Sequence, residues 1–263
     1  MPTQSFFIKY GKNEGLVMSP SELLERYFHG ISLSTKDGRC ISTETIVREL
    51  LTAQRKIEEH LGIKLKRQVI EERTDFLRGE YFQGWGHLRA NYPVFEPISI
   101  TGFISTTKQT EFPLEWISVN TTNMEDLVNR NMHIVPAGGS TPTTNAVIFS
   151  GITPNAGFLG VPSIPNYWNL KYVTGFTKVP DSLLSVVGKL ASMAIFAVLG
   201  DIVLGAGIAS QSLSFDSLSQ SIATTQSAEN SAYSARIRQY AGELKIEMHD
   251  LKGHYKGITF LAM

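Results

Sequence analysis

The sequence predicts a helix-rich α+β protein in which a helical core is split by a small β-rich insertion. Three observations carry this. Apolar residues recur every three or four positions over 42–62, 180–198 and 229–252, the period of helices that bury one face. Between 98 and 165 that period disappears, and Thr, Asn, Gly and Pro surround short alternating runs. The helical period then resumes. The expected organisation is a core built from 1–97 and 166–263, with a C-terminal arm, and an insertion over 98–165. At 263 residues, 42% hydrophobic and 18% charged, the chain can bury a substantial core, which excludes wholesale disorder.

The first helix is opened by Ser19-Pro20-Ser21-Glu22, where Ser19 caps, Pro20 suits the first helical position and Glu22 closes a capping box. It should end near Phe28. Gly30 and the Asp37-Gly38 turn lead to a longer helix, opened by Ser42 or Thr43 and stopped by Gly62. Ile46, Leu50, Ala53, Ile57 and Leu61 form its apolar stripe. Residues 64–76 are charged and roughly alternating, the pattern of a polar strand at a sheet edge or in a subunit contact. An aromatic, turn-rich stretch follows over 79–97, and short strands are expected from Ile98 through Val119, at 133–135 and at 146–149.

Clean alternation returns at 167–173, placing Trp168, Leu170 and Tyr172 on one face of a strand that Gly175 ends. Pro180-Asp181 starts a helix apolar almost all round. Its continuation, 190–210, approaches the length of a membrane span, but Asp201 sits in the middle, and a central carboxylate costs about 2.5–3.5 kcal/mol on insertion. A buried helix in a soluble assembly is therefore expected. Residues 205–228 hold seven serines threaded by Ile208, Leu213, Phe215, Leu218 and Ile222. Flexible linkers lack such regularly placed hydrophobes, so an ordered extended segment that buries one side against a partner is expected. The last helix carries a narrow stripe of Tyr233, Ile237, Tyr240, Leu244, Met248 and Leu251 and should stop at Gly253. Beyond it Tyr255, Ile258 and Phe260 lie in an apolar arm suited to docking.

Lys plus Arg equals Asp plus Glu at 24 each, so no bulk basic field exists to hold nucleic acid or anionic lipid. Cys40 is the only cysteine, which excludes an intrachain disulfide and a cysteine metal cluster and fits a reducing compartment. The opening residues lack the apolar core of a secretory signal, so export by that route is not expected. Catalytic signatures are missing: P-loop, HExxH, GxSxG and CxxC do not occur. The run from Gly205 to Ser210 imitates a dinucleotide fingerprint, with serine at the third glycine and a helix in place of the preceding strand. Of the six histidines only His249 and His254 are close, at a spacing of five that does not set both on one helical face. Cys40 as a nucleophile has no visible triad context, and Glu58-Glu59 and Glu71-Glu72 sit beside Lys or Arg as solvated pairs do. Trp85, Trp116 and Trp168 could stack on bases or sugars but lack a basic stripe, which favours core and interface roles. No catalytic residue, cofactor or metal is expected.

Two blocks carry a family resemblance. The run 42–63 (STETIVRELLTAQRKIEEHLGI), continued to Asp75, resembles the start of the head-to-tail connector (adaptor) proteins of tailed bacteriophages, where a helix with an A…IE..LGI ending leads into a polar strand. The segment 168–176 (WNLKYVTGF), then Val179-Pro180 and the helix over 183–198, is similar to the family's strand and following helix. The likeness lies chiefly in 42–76 and 167–204, while the insertion departs from the small all-helical adaptors. The resemblance implies a structural virion protein of the neck, made in the bacterial host cytoplasm. Twelve copies would form a ring beneath the portal, joining it to tail or tail-terminator proteins, with double-stranded DNA passing unread through the lumen. Neutral net charge suits such a conduit, because a strongly basic lining would hold phosphates. Interface candidates are Leu213, Phe215, Leu218 and Ile222 in the serine-rich element and Tyr255, Ile258 and Phe260 in the arm. Another neck or tail-completion protein is the alternative within that setting. From other classes, the rivals are a small cytosolic enzyme with an anion site between Gly138 and Asn145 (GGSTPTTN) and a peripheral membrane protein using 190–210.

Overall fold

A computed structural model describes residues 15–31, 33, 40–77, 86–119, 127–135, 163–204, 210–215, 218–223 and 233–256. They form a mixed α+β protein of four helices, two antiparallel sheets and a hairpin. The chain divides into two units, 1–60 with 179–253 and 61–178 with 254–263. The polar strand after the second helix pairs with the strand at 163–174, and both belong to the second unit.

The first unit is organised by helices. In α1 (Pro20–Tyr27) the Ser19 hydroxyl accepts the Glu22 N–H at 3.1 Å, so the cap read from the sequence is in place. In α2 (Thr43–Leu61) Ser42 does the same for the Thr45 N–H at 3.2 Å, and Ile46, Leu50, Ala53 and Ile57 are buried along one stripe. Helix α3 (Asp181–Leu204) buries Leu183, Val186, Val187, Ala191, Ile195, Phe196 and Leu199. Its Gly188 lets α1 come close, for a Cβ there would lie 2.4 Å from the Tyr27 ring, whose hydroxyl donates to the Ser185 carbonyl at 3.3 Å. Lys189 reaches from α3 to two carboxylates of α4 (Ser234–Lys256), Glu243 at 2.7 Å and Glu247 at 2.6 Å. Burial works against the Lys189 charge, but the hydrogen bonds to both glutamates outweigh it and hold its pKa above the ordinary lysine value. Helix α4 does not stop at Gly253, as expected from sequence, but continues to Lys256. Gly253 keeps a negative φ and meets no neighbour, so it costs only the ordinary helix penalty of about 1 kcal/mol, and buried Leu251 and Tyr255 carry the stripe across it.

The second unit is built from sheets. Strands β1 (Gln68–Leu77), β7 (Ser163–Thr174), β3 (Glu96–Ile104) and β4 (Thr107–Glu111) form an antiparallel sheet in the order β1-β7-β3-β4. The charged strand anticipated from sequence is therefore β1, at the sheet edge. Strands β2 (Gly86–Arg89), β6 (Asn131–Ile134) and β5 (Ile117–Val119) form the other, in the order β2-β6-β5. Trp168, Leu170 and Tyr172 are fully buried as the alternation requires, and pack with Phe76, Leu88, Ile100, Phe112, Ile117, Met132 and Ile134. Tyr167 is buried as well, which strict alternation does not allow. The reason is a bulge: β1 advances from Thr74 to Phe76 while β7 advances from Trp168 to Ile164. Asn166 takes a φ of 52° inside it, and the Asp75 carboxylate accepts its N–H at 2.7 Å. Burial then pushes the Tyr167 phenol up to about 12.

Gly175 ends β7 at a φ of 91°, where a Cβ would lie 2.1 Å from the Lys66 carbonyl oxygen. That approach lets Phe176 bridge to Lys66 and its N–H reach the Leu65 carbonyl at 3.3 Å. Gly175→Ala is expected to destabilise the second unit by at least about 2 kcal/mol, from the left-handed backbone plus the backbone clash. Urea unfolding followed by circular dichroism checks this, and a midpoint equal to wild type would contradict it.

Candidate functional site

The four interface candidates of the serine-rich element meet on one hairpin. Strands β8 (Ser210–Phe215) and β9 (Leu218–Ala223) pair in register, Phe215 opposite Leu218, Leu213 opposite Gln220 and Gln211 opposite Ile222. Directly opposed residues share a face and neighbours along a strand alternate. Positions 213, 215, 218 and 222 therefore lie on one face with Gln211 and Gln220. The opposite face holds Ser210, Ser212, Ser214, Ser219, Ser221 and Ala223. A sequence that looked like a serine-rich linker thus encodes a β-hairpin whose register sets the four hydrophobic positions together.

Of the arm candidates, Tyr255 is 4% exposed and sits edge-on to Phe176 at 6.1 Å, so its ring is packed within the second unit. Ile258 and Phe260 lie outside the described residues, as do the expected strand at 146–149, the 138–145 stretch and Trp85.

Within the first unit, α2, α3 and α4 enclose a groove of about 440 Å³. Leu190, Met193, Ala194 and Ala197 of α3 line it at helical spacing, together with Ala53 and Ala241 and the charged Glu49, Lys56 and Arg238. The same helix contains a stretch, Asp181–Gly200, long and apolar enough to cross a membrane, of which 56% is buried inside the protein.

The residues weighed for catalysis do not converge. Glu71 and Glu72 are consecutive on β1 and point to opposite faces: Glu71 accepts from the Asn169 amide at 2.8 Å, and Glu72 accepts both the Asn91 N–H and its side-chain amide at 2.8 Å. Cys40 is exposed, and Trp168 is enclosed by Tyr167, Phe76 and Phe112, with no face open to a ligand. His249 and His254 are both exposed on α4. Among the described residues no group of three or more His, Cys, Asp or Glu is placed to hold a metal.

One titratable pair escaped the sequence reading. His87 of β2 and His133 of β6 stand directly opposite, their rings edge to face with centroids 4.6 Å apart. Burial, and then the neighbouring His87, hold His133 below the ordinary imidazole pKa. The unfolded chain therefore takes up this proton first as pH falls. The stabilisation is complete above the unfolded value of about 6.5 and is lost as pH drops below it towards the folded value. Thermal melts of wild type and His133→Gln should diverge between about pH 8 and pH 5, with the variant losing less stability on acidification. Parallel pH profiles would count against this coupling.

No protein-family profile matches this chain, and no curated protein matches it.

Proposed function

We propose that this chain is a head-to-tail connector of a tailed bacteriophage, a structural virion protein of the neck. On this reading twelve copies form a ring on the portal, bind tail or tail-terminator proteins on the other side and leave a lumen for the genomic DNA. The observation that carries the reading is where the two resembling blocks lie. The first is α2 running into β1, the second β7 running into α3, and β1 and β7 are strand partners from Gln68 opposite Thr174 to Leu77 opposite Ser163. The strand parts of two blocks nearly a hundred residues apart in sequence thus pair with each other within the second unit, which supports reading the two blocks together.

The hairpin supports the reading from a second side. A face bearing Leu213, Phe215, Leu218 and Ile222 is a surface for self-contact, and the hydroxylated face opposite is neutral, suited to lie near DNA without gripping it. Zero net charge agrees with dense packing of identical copies. The helix-rich connector core belongs to this proposal, with the sheet unit as an elaboration upon it.

Native mass spectrometry of the purified chain, alone and with purified portal rings, tests the reading. A complex carrying about twelve copies per portal is expected. A chain that stays unbound at micromolar portal would overturn it.

A further inference from the structure

We infer that His87 and His133 form a binding site for a divalent transition-metal ion, with copper(II) preferred and nickel(II) next.

The strand register places the ligands. Ala90 and Arg130 are opposite each other in the β2–β6 alignment extended by one residue, and the Ala90 N–H donates to the Arg130 carbonyl at 2.8 Å, which makes them a hydrogen-bonded pair. Paired positions alternate along an antiparallel ladder, so Leu88 with Met132 is hydrogen-bonded, while Arg89 with Asn131 and His87 with His133 are not. In non-hydrogen-bonded pairs the side chains come closest, with Cα atoms about 4.5 Å apart. Two imidazoles on such a pair are brought together by the backbone itself.

The ring separation brings two nitrogen donors within reach of one ion. The centroids are 4.6 Å apart, and rotation of the side chains from their edge-to-face contact would turn a nitrogen of each ring toward a shared metal. Copper(II) heads the divalent series for nitrogen donors, with nickel(II) next and zinc weaker than copper.

The surroundings agree. Leu88, Met132 and Ile134 are buried on the core side of this sheet, so the histidines occupy its outer face, His87 exposed and His133 half-buried. The same face carries Arg89 and Asn131 one pair along and Ser118 opposite His133 on β5. None of the described strands β2, β5 and β6 contributes a carboxylate, which disfavours magnesium, calcium and manganese. The remaining coordination positions face solvent and would be filled by water or an external ligand. This site is independent of the connector proposal.

The test is titration of the full chain with copper(II) chloride at pH 7.5, read by calorimetry and by electron paramagnetic resonance. One tight equivalent is expected, with hyperfine splitting from two imidazole nitrogens. Either His87→Gln or His133→Gln should weaken binding by at least about tenfold, the loss that even an outer partner of a metal site produces. The double variant should be little worse than either single one, since chelation is lost with the first ligand. A control, His249→Gln with His254→Gln, should bind as wild type. Zinc should bind more weakly than copper. If His133→Gln does not fold, exposed His87→Gln decides the matter. Unchanged copper affinity in His87→Gln, or a spectrum showing one nitrogen, would overturn the assignment.

Discussion

Trp168→Ala is expected to unfold the sheet unit or leave it barely folded. The indole is fully buried, packed edge-on to Tyr167 at 4.7 Å and flanked by Phe112 at 5.9 Å and Phe76 at 6.4 Å. Truncation of a buried tryptophan costs about 3–5 kcal/mol, from lost transfer energy and from the cavity left behind. Whole domains are commonly stable by only about 5–15 kcal/mol, so this one change removes a large share. The neighbours cannot close the gap easily, because the Asn166 bulge and the Asp75 contact fix the backbone that carries both Tyr167 and Trp168. Trp116, only partly buried at the margin of the same core, provides the internal comparison: Trp116→Ala should cost markedly less. Urea denaturation of both variants by circular dichroism reads the difference. Equal midpoints for the two would contradict this account of the core.

Replacing Phe215 and Leu218 together by aspartate is expected to abolish assembly while leaving the fold intact. The two positions are cross-strand partners at the closed end of the hairpin, on the face shared with Leu213 and Ile222. Closing an interface over this face would bury two carboxylates, each at a cost of several kcal/mol unless it is paired. In a ring that penalty recurs at every subunit contact. A loss of more than about a hundredfold per contact, about 2.7 kcal/mol, is expected in sedimentation or native mass measurements. Ser212→Asp with Ser221→Asp, opposite each other on the hydroxylated face, should leave self-association in place. A Phe215→Asp, Leu218→Asp double variant that assembles like wild type would remove the hairpin from the interface.

What could be read from the sequence was what is encoded locally. Ser19 and Ser42 cap because the side chain and the N–H it accepts are three residues apart, a relation visible in any linear reading. The stripes of α2 and α4, the alternation of β7 and the left-handed glycines Gly62 and Gly175 are equally local. The misses share one cause, dependence on a partner distant in the chain. Strand β2 is four residues with Leu88 its only buried side chain, too short for a period, and it is a strand because β6 is beside it. Tyr167 faces the core only because a bulge opposite Asp75 resets the alternation. His87 and His133 are neighbours solely through that β2–β6 register, and no spacing rule links them. Gly253 carried a stop signal that buried residues on either side overrode. The four hairpin hydrophobes were singled out by spacing, but their common face follows from the register of β8 with β9.

The connector assignment is tested most directly by counting this chain in finished particles. A tagged copy would be expressed during virion production, particles purified by density gradient, and their proteins quantified by mass spectrometry against the portal. The account predicts that the chain co-purifies with portal and tail proteins at close to one copy per portal subunit. Its absence from particles, or its recovery with membrane or metabolic proteins instead, would contradict the account.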